Sequence, residues 1–245
     1  MNAVAGNGMA EATGASQFET NGFQFIPAVA SADQCDRLIA ELMPLYERHA
    51  AAAVGKVGGV RNLLRTSPLT GALAHSPEAI SLIRRVAGDP LVPVRAIFFD
   101  KNPAANWRVP WHQDLAIAVA EPIEAPGFSG WSVKDGVPHV QPPADLLAGM
   151  VTLRLHLDEC RAQNGALRVM PGSHCAGKLG ADEIHHWSVT VSPCVCELGK
   201  GDALLMRPLL LHASQPAELP QHRRVLHIEY APRELPHGLK WFDRQ

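Results

Sequence analysis

The sequence lacks several features that define specialised classes of protein. Its apolar runs fall well short of the roughly 18 residues that a membrane-spanning helix needs, so we expect no membrane partner. No run of lysine or arginine occurs and the formal net charge is −2, which argues against a nucleic-acid partner. The chain also starts without the basic residues and apolar segment of a secretory signal.

Cysteine is scarce and irregularly spaced. An odd set of five argues against a disulfide framework and for a reducing compartment, so we expect a cytoplasmic protein. Two of the five lie two residues apart in "VSPCVCELG", but a soft-metal site needs two more ligands and no second pair exists. The five are Cys35, Cys160, Cys175, Cys194 and Cys196.

The length is enough for one large domain or two small ones. The chain has 245 residues, 47% of them hydrophobic, which is enough for a substantial core. We interpret the small polar residues 1–17 as a disordered lead-in and residues 18–245 as a single domain, either a monomer or a small homo-oligomer. The 20 glycines and 20 prolines are spread along the chain and favour short elements with many turns.

Two helices are predicted in the first half of the domain. Ser31 and Gln34 form a candidate capping box before a stretch with helical apolar spacing, which Pro44 would kink or end. A second helix fits the stretch that begins after the cap Ser76 and ends before Gly88.

Short apolar or alternating segments, separated by turn signals, make up the rest of the domain. Helices first and short strands afterwards predict a mainly β fold, an antiparallel sandwich or barrel with flanking helices. The predicted strand regions lie within residues 18–31, 93–100, 150–158, 164–170, 186–198, 201–212 and 223–232.

A histidine followed two residues later by an acidic residue occurs three times. With 12 histidines and 24 acidic residues, chance alone gives about one such pair, so the motif by itself is weak. The three pairs are His112 with Asp114, His156 with Asp158, and His227 with Glu229.

The residues that follow distinguish these pairs. A mononuclear Fe(II) site uses two imidazoles and one carboxylate, and residues two apart on a strand point to the same side. His212 ends the apolar run "ALLMRPLLLH" 100 residues after His112 and is a candidate third ligand. Arg223 and Arg224 follow it, and a buried arginine can hold the far carboxylate of a keto-diacid. We expect neither of the other pairs to have a good third ligand with an arginine after it in the chain, which favours the "WHQD" pair.

The other two pairs are predicted to be structural. His156 and Asp158 lie on the polar side of an alternating strand, and we expect a hydrogen-bonded pair that lines the barrel or its rim. His227 and Glu229 follow the candidate arginines on the same strand.

Four segments in this order carry a resemblance: "WHQD", "NGALRVMPGSH", "GDALLMRPLLLHAS" and "RRVLHIEYAP". Together they resemble the phytanoyl-CoA dioxygenase (PhyH-type) family, over a stretch from about Phe18 to about Trp241. These are oxygenases that depend on Fe(II) and 2-oxoglutarate and have a double-stranded β-helix, also called a jelly roll or cupin-like fold. The resemblance implies the cofactors Fe(II), 2-oxoglutarate and O₂.

The resemblance also assigns residues. It makes His112, Asp114 and His212 the iron ligands. It places the family's 2-oxoglutarate-binding arginine eleven residues after the distal histidine, at Arg223, and matches Ser214 to a hydroxyl that contacts the same carboxylate.

Two positions leave alternatives open. Arg224 is the neighbour of Arg223, and a slip of one residue would exchange their faces. Arg154 stands where the family often has an aromatic residue, which leaves the cosubstrate contacts of that strand open and suggests an anionic substrate.

Three other groups of polar residues have less specific interpretations. "GVRNLLR" is either a solvated face or a substrate-facing loop. His174 in "PGSH" fits a turn or a lid rather than a ligand position. The adjacent pair in "IHHW" would point to opposite sides of a strand. The residues concerned are Arg61, Asn62 and Arg65 in the first group, and His185 and His186 in the last.

The predicted function is hydroxylation of an unactivated C–H bond in a small-molecule substrate, with release of succinate and CO₂. The alternatives are a non-catalytic jelly-roll protein that binds a metal or acts as a sensor, and a cupin-type metalloenzyme that uses no 2-oxoglutarate. The family's name suggests an acyl-CoA substrate, but a fold alone does not identify a substrate.

Overall fold

The structure, a computed structural model, describes residues 17–52 and 59–244. The predicted lead-in, residues 1–17, lies outside these ranges except for its last residue, which belongs to a helical turn at residues 17–21.

Most of the helices lie between residues 32 and 87, before most of the strands. The cap of the first is the predicted box: the Ser31 N–H donates to Gln34 Oε1 at 2.7 Å, and the Gln34 N–H donates to Ser31 Oγ at 3.2 Å. No helix in the described ranges is both long enough and apolar enough to cross a membrane. The helices are α1 (Ala32–Ala52), α2 (Leu63–Thr66), α3 (Pro68–Ala74), α4 (Pro77–Ala87), α5 (Ala144–Ala148) and α6 (Ala181–Thr190).

Pro44 does not end the first helix. It lies inside α1, which continues to Ala52. Proline removes one backbone hydrogen bond, but Leu42 and Tyr46 on either side of it are buried and keep the apolar face of the helix continuous. The second helix, α4, was predicted correctly. Its cap Ser76 accepts from the Ala79 N–H at 3.1 Å.

Antiparallel strands form three sheets. A five-stranded sheet has the order β1-β10-β7-β12-β2, a four-stranded sheet has the order β3-β11-β8-β9, and a small sheet has the order β4-β6-β5. The strands are β1 (Phe23–Ile26), β2 (Val92–Lys101), β3 (Val109–His112), β4 (Ile117–Ala118), β5 (Ser129–Lys134), β6 (Val137–Gln141), β7 (Val151–His156), β8 (Leu167–Val169), β9 (Cys194–Cys196), β10 (Ala203–Met206), β11 (His212–Ser214) and β12 (Arg223–Ala231).

The chain passes repeatedly between the two larger sheets. Strands β2, β7, β10 and β12 belong to the five-stranded sheet, and β3, β8, β9 and β11 belong to the four-stranded sheet. Eight strands that wind between two facing antiparallel sheets are a jelly roll, as predicted. This topology brings β3 beside β11, although about 100 residues separate them.

The five-stranded sheet has an apolar outer face and a polar inner face. On β7, Val151, Leu153 and Leu155 pack in a cluster with α1 and α4. The alternate residues Thr152 and Arg154 point inward and are buried. The helices therefore cover one face of the sheet, and the polar face is left to line the interior of the jelly roll.

The prediction of a strand over residues 186–198 is wrong in its first half. Residues 181–190 form α6, and only Cys194–Cys196 form a strand. Glu183 caps the helix by accepting from the Gly180 N–H at 2.7 Å. Ile184, Trp187 and Val191 repeat at helical spacing and pack against a cluster that contains Leu211.

His185 and His186 consequently lie on a helix, not on opposite sides of a strand. Both are exposed. They take no part in the metal-type cluster described below.

Candidate metal and cosubstrate site

The end of β3 and the start of β11 bring three predicted residues together. His112 is the last residue of β3, His212 is the first of β11, and the two are directly paired across the strands. Asp114 follows β3 by two residues, and its N–H donates to the Pro208 carbonyl at 2.9 Å. The backbone thus fixes the loop that carries the carboxylate.

The three side chains converge on one point. His112 Nε2 lies 3.9 Å from Asp114 Oδ1, and His212 Nε2 lies 3.6 Å from Asp114 Oδ2. One potential ligand atom from each residue lies within 4.8 Å of the others. Among the described residues, no other group of three or more histidine, cysteine and acidic side chains meets this condition.

Backbone carbonyls determine which nitrogen of each imidazole carries the proton. His112 Nδ1 lies 2.9 Å from the Pro110 carbonyl, and His212 Nδ1 lies 2.8 Å from the Leu210 carbonyl. A carbonyl only accepts, so each Nδ1 donates, and in the neutral ring the Nε2 that faces Asp114 carries the lone pair. Two imidazoles and one carboxylate, with each imidazole held by a hydrogen bond from its Nδ1 to a backbone carbonyl, fit Fe(II).

The charge states agree with this donor set. Burial raises the pKa of Asp114, but His212, His227, His112 and Arg95 more than offset this and hold it well below its usual range. Burial lowers the pKa of His212 to about 4, against the opposing effect of Asp114. The carboxylate is therefore ionised and His212 is neutral at pH 7.

A cavity of about 130 Å³ opens beside the three residues. Arg223, Ser214 and Lys101 also line this cavity and are almost completely buried. Arg223 donates from Nη1 to the Gly165 carbonyl at 2.6 Å, while its buried Nε has no partner within residues 17–52 and 59–244. Lys101 donates from Nζ to the Gln215 carbonyl at 2.6 Å and to Ser214 Oγ at 3.3 Å.

The two neighbouring arginines of β12 point in opposite directions. Arg223 lines the cavity, whereas Arg224 donates from Nε and Nη2 to the carboxylate of Asp158, at 2.7 Å in both cases. Successive strand residues face opposite sides of the sheet, so only one of the pair can enter the cavity. The geometry places Arg223 there.

Lys101 was not singled out from the sequence. It ends the strand "VPVRAIFFDK", and its Cα pairs with that of Arg223 across the sheet. Burial and then the charge of Arg223 lower the pKa of Lys101 to about 8. The sequence did contain a hint. Lys101 is an even number of residues from Arg95 and Phe99 on an apolar strand, so all three side chains should lie on the same face.

Arg154 also lines the cavity and belongs to a chain of buried contacts. Its Nη1 lies 3.0 Å from His227 Nδ1, and His227 Nε2 lies 3.3 Å from Glu229 Oε1. Glu229 in turn pairs with Arg95. Since Arg154 can only donate, His227 accepts at Nδ1 and donates from Nε2 to Glu229. His227 and Glu229 were predicted to have structural roles; in the structure they are hydrogen-bonded to each other, and His227 also accepts from Arg154.

The predicted hydrogen bond between His156 and Asp158 is wrong. Asp158 bonds Arg224, while both ring nitrogens of His156 are buried with no partner among the described residues. Residues two apart share a face only while both are in a strand. Strand β7 ends at His156, so Asp158 lies beyond it and does not have to face the same side as His156.

His156 should make the protein less stable in acid. Burial, followed by the charges of Arg154 and Arg223, lowers the pKa of His156 to about 3. The unfolded chain then binds a proton below about pH 6.5 that the native state does not, so stability falls as pH drops from 6.5 toward 3. Each pH unit in this window costs about 1.4 kcal/mol. Urea unfolding of wild type and His156→Leu at several pH values measures this contribution.

In His156→Leu, the free energy of unfolding should fall less steeply with decreasing pH. The contribution of His156 should be absent between about pH 5.5 and 4.5. Replacement of the exposed His185 by leucine is the matched control and should leave the slope unchanged. Parallel curves for wild type and His156→Leu would contradict the assignment.

The arginines of the loop "GVRNLLR" make ion pairs with two other parts of the protein. Arg61 pairs with Asp135 at 2.8 Å, and Arg65 lies 3.5 Å from Asp243. Asn62 adopts a left-handed conformation (φ 62°) before α2. The arginines therefore tie α2 to the β5–β6 hairpin and to the C-terminal turn.

His174 occupies a short 3-10 turn, as one of its two interpretations had it. Its Nε2 lies 3.0 Å from the Glu19 carbonyl. It is not part of the cluster of His112, Asp114 and His212.

The sequence profile described as "Phytanoyl-CoA dioxygenase (PhyH)" matches residues 18–225, most of the chain. The chain belongs to this family. The predicted family and its dioxygenase class are thereby confirmed.

Individual PhyH-type relatives are distant. The ectoine dioxygenase of Stutzerimonas stutzeri (strain A1501) is 24% identical over 167 residues, which are 64% of this chain and 48% of that protein. The chain thus spans about half the length of this curated relative.

Two solved structures share the fold over nearly the whole chain. AviO1 from Streptomyces viridochromogenes Tue57 aligns with a TM-score of 0.66 and 24% identity, over 92% of this chain and 97% of that one. The epimerase SnoN, in complex with Fe³⁺, alpha ketoglutarate and nogalamycin RO, aligns with a TM-score of 0.67 and 17% identity, over 94% and 91%. At these identities the structures support the jelly-roll fold.

Proposed function

We propose that the protein is an Fe(II)- and 2-oxoglutarate-dependent dioxygenase that hydroxylates a C–H bond of a small molecule. The observation that carries this proposal is the convergence of His112, Asp114 and His212 at a cavity that Arg223 also lines. The complex of SnoN with iron and alpha ketoglutarate adds support from a protein of the same fold.

His112, Asp114 and His212 would hold the iron. The backbone carbonyls that fix both imidazoles leave each Nε2 free to donate its lone pair without loss of a proton. Asp114 supplies one negative charge, which offsets half of the charge of Fe(II). Three ligands on one side leave the remaining positions to the cosubstrate and O₂.

Arg223, Ser214 and Lys101 would hold the far carboxylate of 2-oxoglutarate. Arg223 Nε–H has no partner in the described protein, so it is free to donate to that carboxylate. The Lys101 ammonium lies at hydrogen-bonding distance from Ser214 and adds a second positive charge at the same end. This end of the cavity therefore has the charge and the donors for a dicarboxylate.

Iron and 2-oxoglutarate, when bound, supply the oxidative chemistry: one oxygen atom of O₂ enters succinate, CO₂ is released, and the other oxygen atom enters the product. The chain's own contribution is to fix the ligands, anchor the cosubstrate and bury the site. A cupin-type enzyme without 2-oxoglutarate would not need Arg223 and Lys101 in the cavity. A scaffold without catalysis would need neither these residues nor the arrangement of Nε2 atoms.

Isotope labelling tests the reaction. The protein is incubated with Fe(II), 2-oxoglutarate, ¹⁸O₂ and a panel of small molecules, and products are identified by mass spectrometry. We expect one ¹⁸O atom in succinate and one ¹⁸O atom in the hydroxylated product.

Succinate without label, or no consumption of 2-oxoglutarate with any substrate, would contradict the proposal. A desaturated or epimerised product with labelled succinate would keep the cofactor assignment and overturn hydroxylation.

A further inference from the structure

Arg154 is a buried cation that lines the cavity of the metal-type cluster and has no acidic partner. It is 8% exposed, and no acidic side chain in the part of the chain that the structure describes forms an ion pair with it. By contrast, the buried Arg95 pairs with Glu229, and the partly buried Arg224 pairs with Asp158. A charge that loses its water without gaining a partner is unfavourable, so an anion at Arg154 would stabilise it.

The protein uses one terminal nitrogen of Arg154 and leaves the opposite side of the guanidinium unused. Nη1 lies 3.0 Å from His227 Nδ1. Nε is buried without a partner, and among the described residues nothing accepts from Nη2 either. Nε and Nη2 lie on the same side of a guanidinium and can hold a carboxylate by two parallel hydrogen bonds. Arg224 binds Asp158 through this pair of nitrogens, at 2.7 Å in both bonds. Arg154 therefore has the two donors that a carboxylate needs.

Hydrogen bonds in series fix the position of this guanidinium. Glu229 pairs with Arg95 and lies 3.3 Å from His227 Nε2, so His227 donates there and accepts from Arg154 at Nδ1. The Cα atoms of Arg154 and His227 are also paired between β7 and β12. The ring centre of Phe99, another wall residue of the cavity, lies 5.8 Å from Arg154 Cζ. Arg154 is therefore held against the cavity by its neighbours.

Arg154 is separate from the group that we assign to the far carboxylate of 2-oxoglutarate. In that group, Lys101 and Arg223 are paired between β2 and β12, and Lys101 bonds Ser214. Arg154 is paired instead with His227, four residues along β12 from Arg223, which is about 13 Å of strand. The far carboxylate thus has its own donors, and the keto acid end would bind the iron. Arg154 remains for a second molecule.

The charges of the cavity also favour an anionic second molecule. Besides histidines, its ionisable side chains are the cations Lys101, Arg154 and Arg223 and the single acid Asp114. The charges of Fe(II) and 2-oxoglutarate are equal and opposite, so their joint binding leaves this positive excess unchanged. A carboxylate on the second molecule would reduce the excess, whereas a neutral molecule would not.

We propose that Arg154 binds a carboxylate of the primary substrate through Nε and Nη2. The substrate is a small carboxylic acid, and the C–H bond to be hydroxylated belongs to a part of it that reaches the metal-type cluster. His227, Glu229 and Arg95 position the guanidinium. The inference rests on the proposed function, because it assigns the substrate class of the same site.

Pairs of probes that differ in one group test the substrate class without turnover. Anaerobic protein saturated with Fe(II) and 2-oxoglutarate is titrated by calorimetry with L-proline, hexanoate and cyclohexanecarboxylate, and with the carboxamide of each. We expect at least one acid to bind, about 10- to 100-fold more tightly than its amide, because hydrogen bonds between two charged groups are the stronger ones.

Substitutions of Arg154 connect this preference to its side chain. Arg154→Gln removes the charge but keeps an amide that can donate to His227. Binding of the acid should fall by about 10- to 100-fold and binding of the amide should not change, so the preference disappears. Arg154→Lys keeps the charge without the paired donors, and its preference should be intermediate. Arg224→Gln makes the matched replacement outside the cavity and should keep the wild-type preference.

The iron content and the 2-oxoglutarate affinity of Arg154→Gln should stay close to those of wild type. Four results would overturn the inference while wild type binds Fe(II) and 2-oxoglutarate: no acid binds, acids and amides bind equally, the preference persists in Arg154→Gln, or this variant loses as much 2-oxoglutarate affinity as Arg223→Leu. The last result would assign Arg154 to the cosubstrate. If wild type does not bind Fe(II) and 2-oxoglutarate, the proposed function fails, and the substrate assignment fails with it.

Discussion

Replacement of Asp114 by alanine should abolish iron retention and lower succinate formation by more than about 100-fold. Loss of a residue that only hydrogen-bonds a metal ligand lowers activity by about 100-fold at most. Asp114 is the only acidic member of the cluster, and its carboxylate faces both Nε2 atoms. Without it the site has two neutral imidazoles and no charge to offset that of Fe(II). Iron content after dialysis and succinate formation are measured on the same preparation.

Asp158→Asn is the matched control, because it alters the other His-x-Asp pair. Asp158 bonds Arg224 on the opposite face of β12, away from the cavity. This variant should lose some stability and keep its iron. Equal loss of iron in both variants would contradict the assignment of the ligands.

Replacement of Arg223 by leucine should weaken 2-oxoglutarate binding by about 10- to 100-fold and leave iron binding intact. Hydrogen bonds to charged groups contribute about 1.5–3 kcal/mol, which corresponds to this range. Lys101 remains in the variant and should retain part of the affinity. The dissociation constant of 2-oxoglutarate is measured by calorimetry on anaerobic, iron-loaded protein.

Arg224→Leu makes the same change one residue along the strand. Its side chain bonds Asp158 outside the cavity, so 2-oxoglutarate affinity should not change. The free energy of unfolding should fall by about 1–2 kcal/mol from the loss of this partly buried pair. If Arg224→Leu weakens 2-oxoglutarate binding and Arg223→Leu does not, the assignment of Arg223 to the cavity side of β12 is wrong.

Much of the site was predictable because its ligands have simple positional signatures. His112 and Asp114 are two apart at the end of a strand, and His212 ends an apolar run. The jelly-roll topology then brings these strands together. A local sequence pattern cannot predict this contact, because about 100 residues separate the strands. The family resemblance supplied that long-range information, and the structure pairs His112 directly with His212.

The parts that were missed depend on tertiary contacts. The stretch that begins at His186 has β-branched residues, which suggested a strand, but the cap at Gly180 and the contacts of Trp187 form a helix instead. Lys101 and Arg95 look like ordinary charges on an apolar strand. Only the register of β2 with β12 shows that they face inward beside Arg223 and Glu229.

The most direct test of a joint iron and 2-oxoglutarate site is a titration of 2-oxoglutarate into anaerobic protein, with and without Fe(II). Wild type should bind one 2-oxoglutarate per chain, tightly with Fe(II) and weakly without it. Asp114→Ala should show only weak binding in both cases, and Arg223→Leu should bind iron but bind 2-oxoglutarate poorly. Iron-independent binding in wild type, or unchanged affinity in both variants, would contradict a joint iron and 2-oxoglutarate site at His112, Asp114, His212 and Arg223.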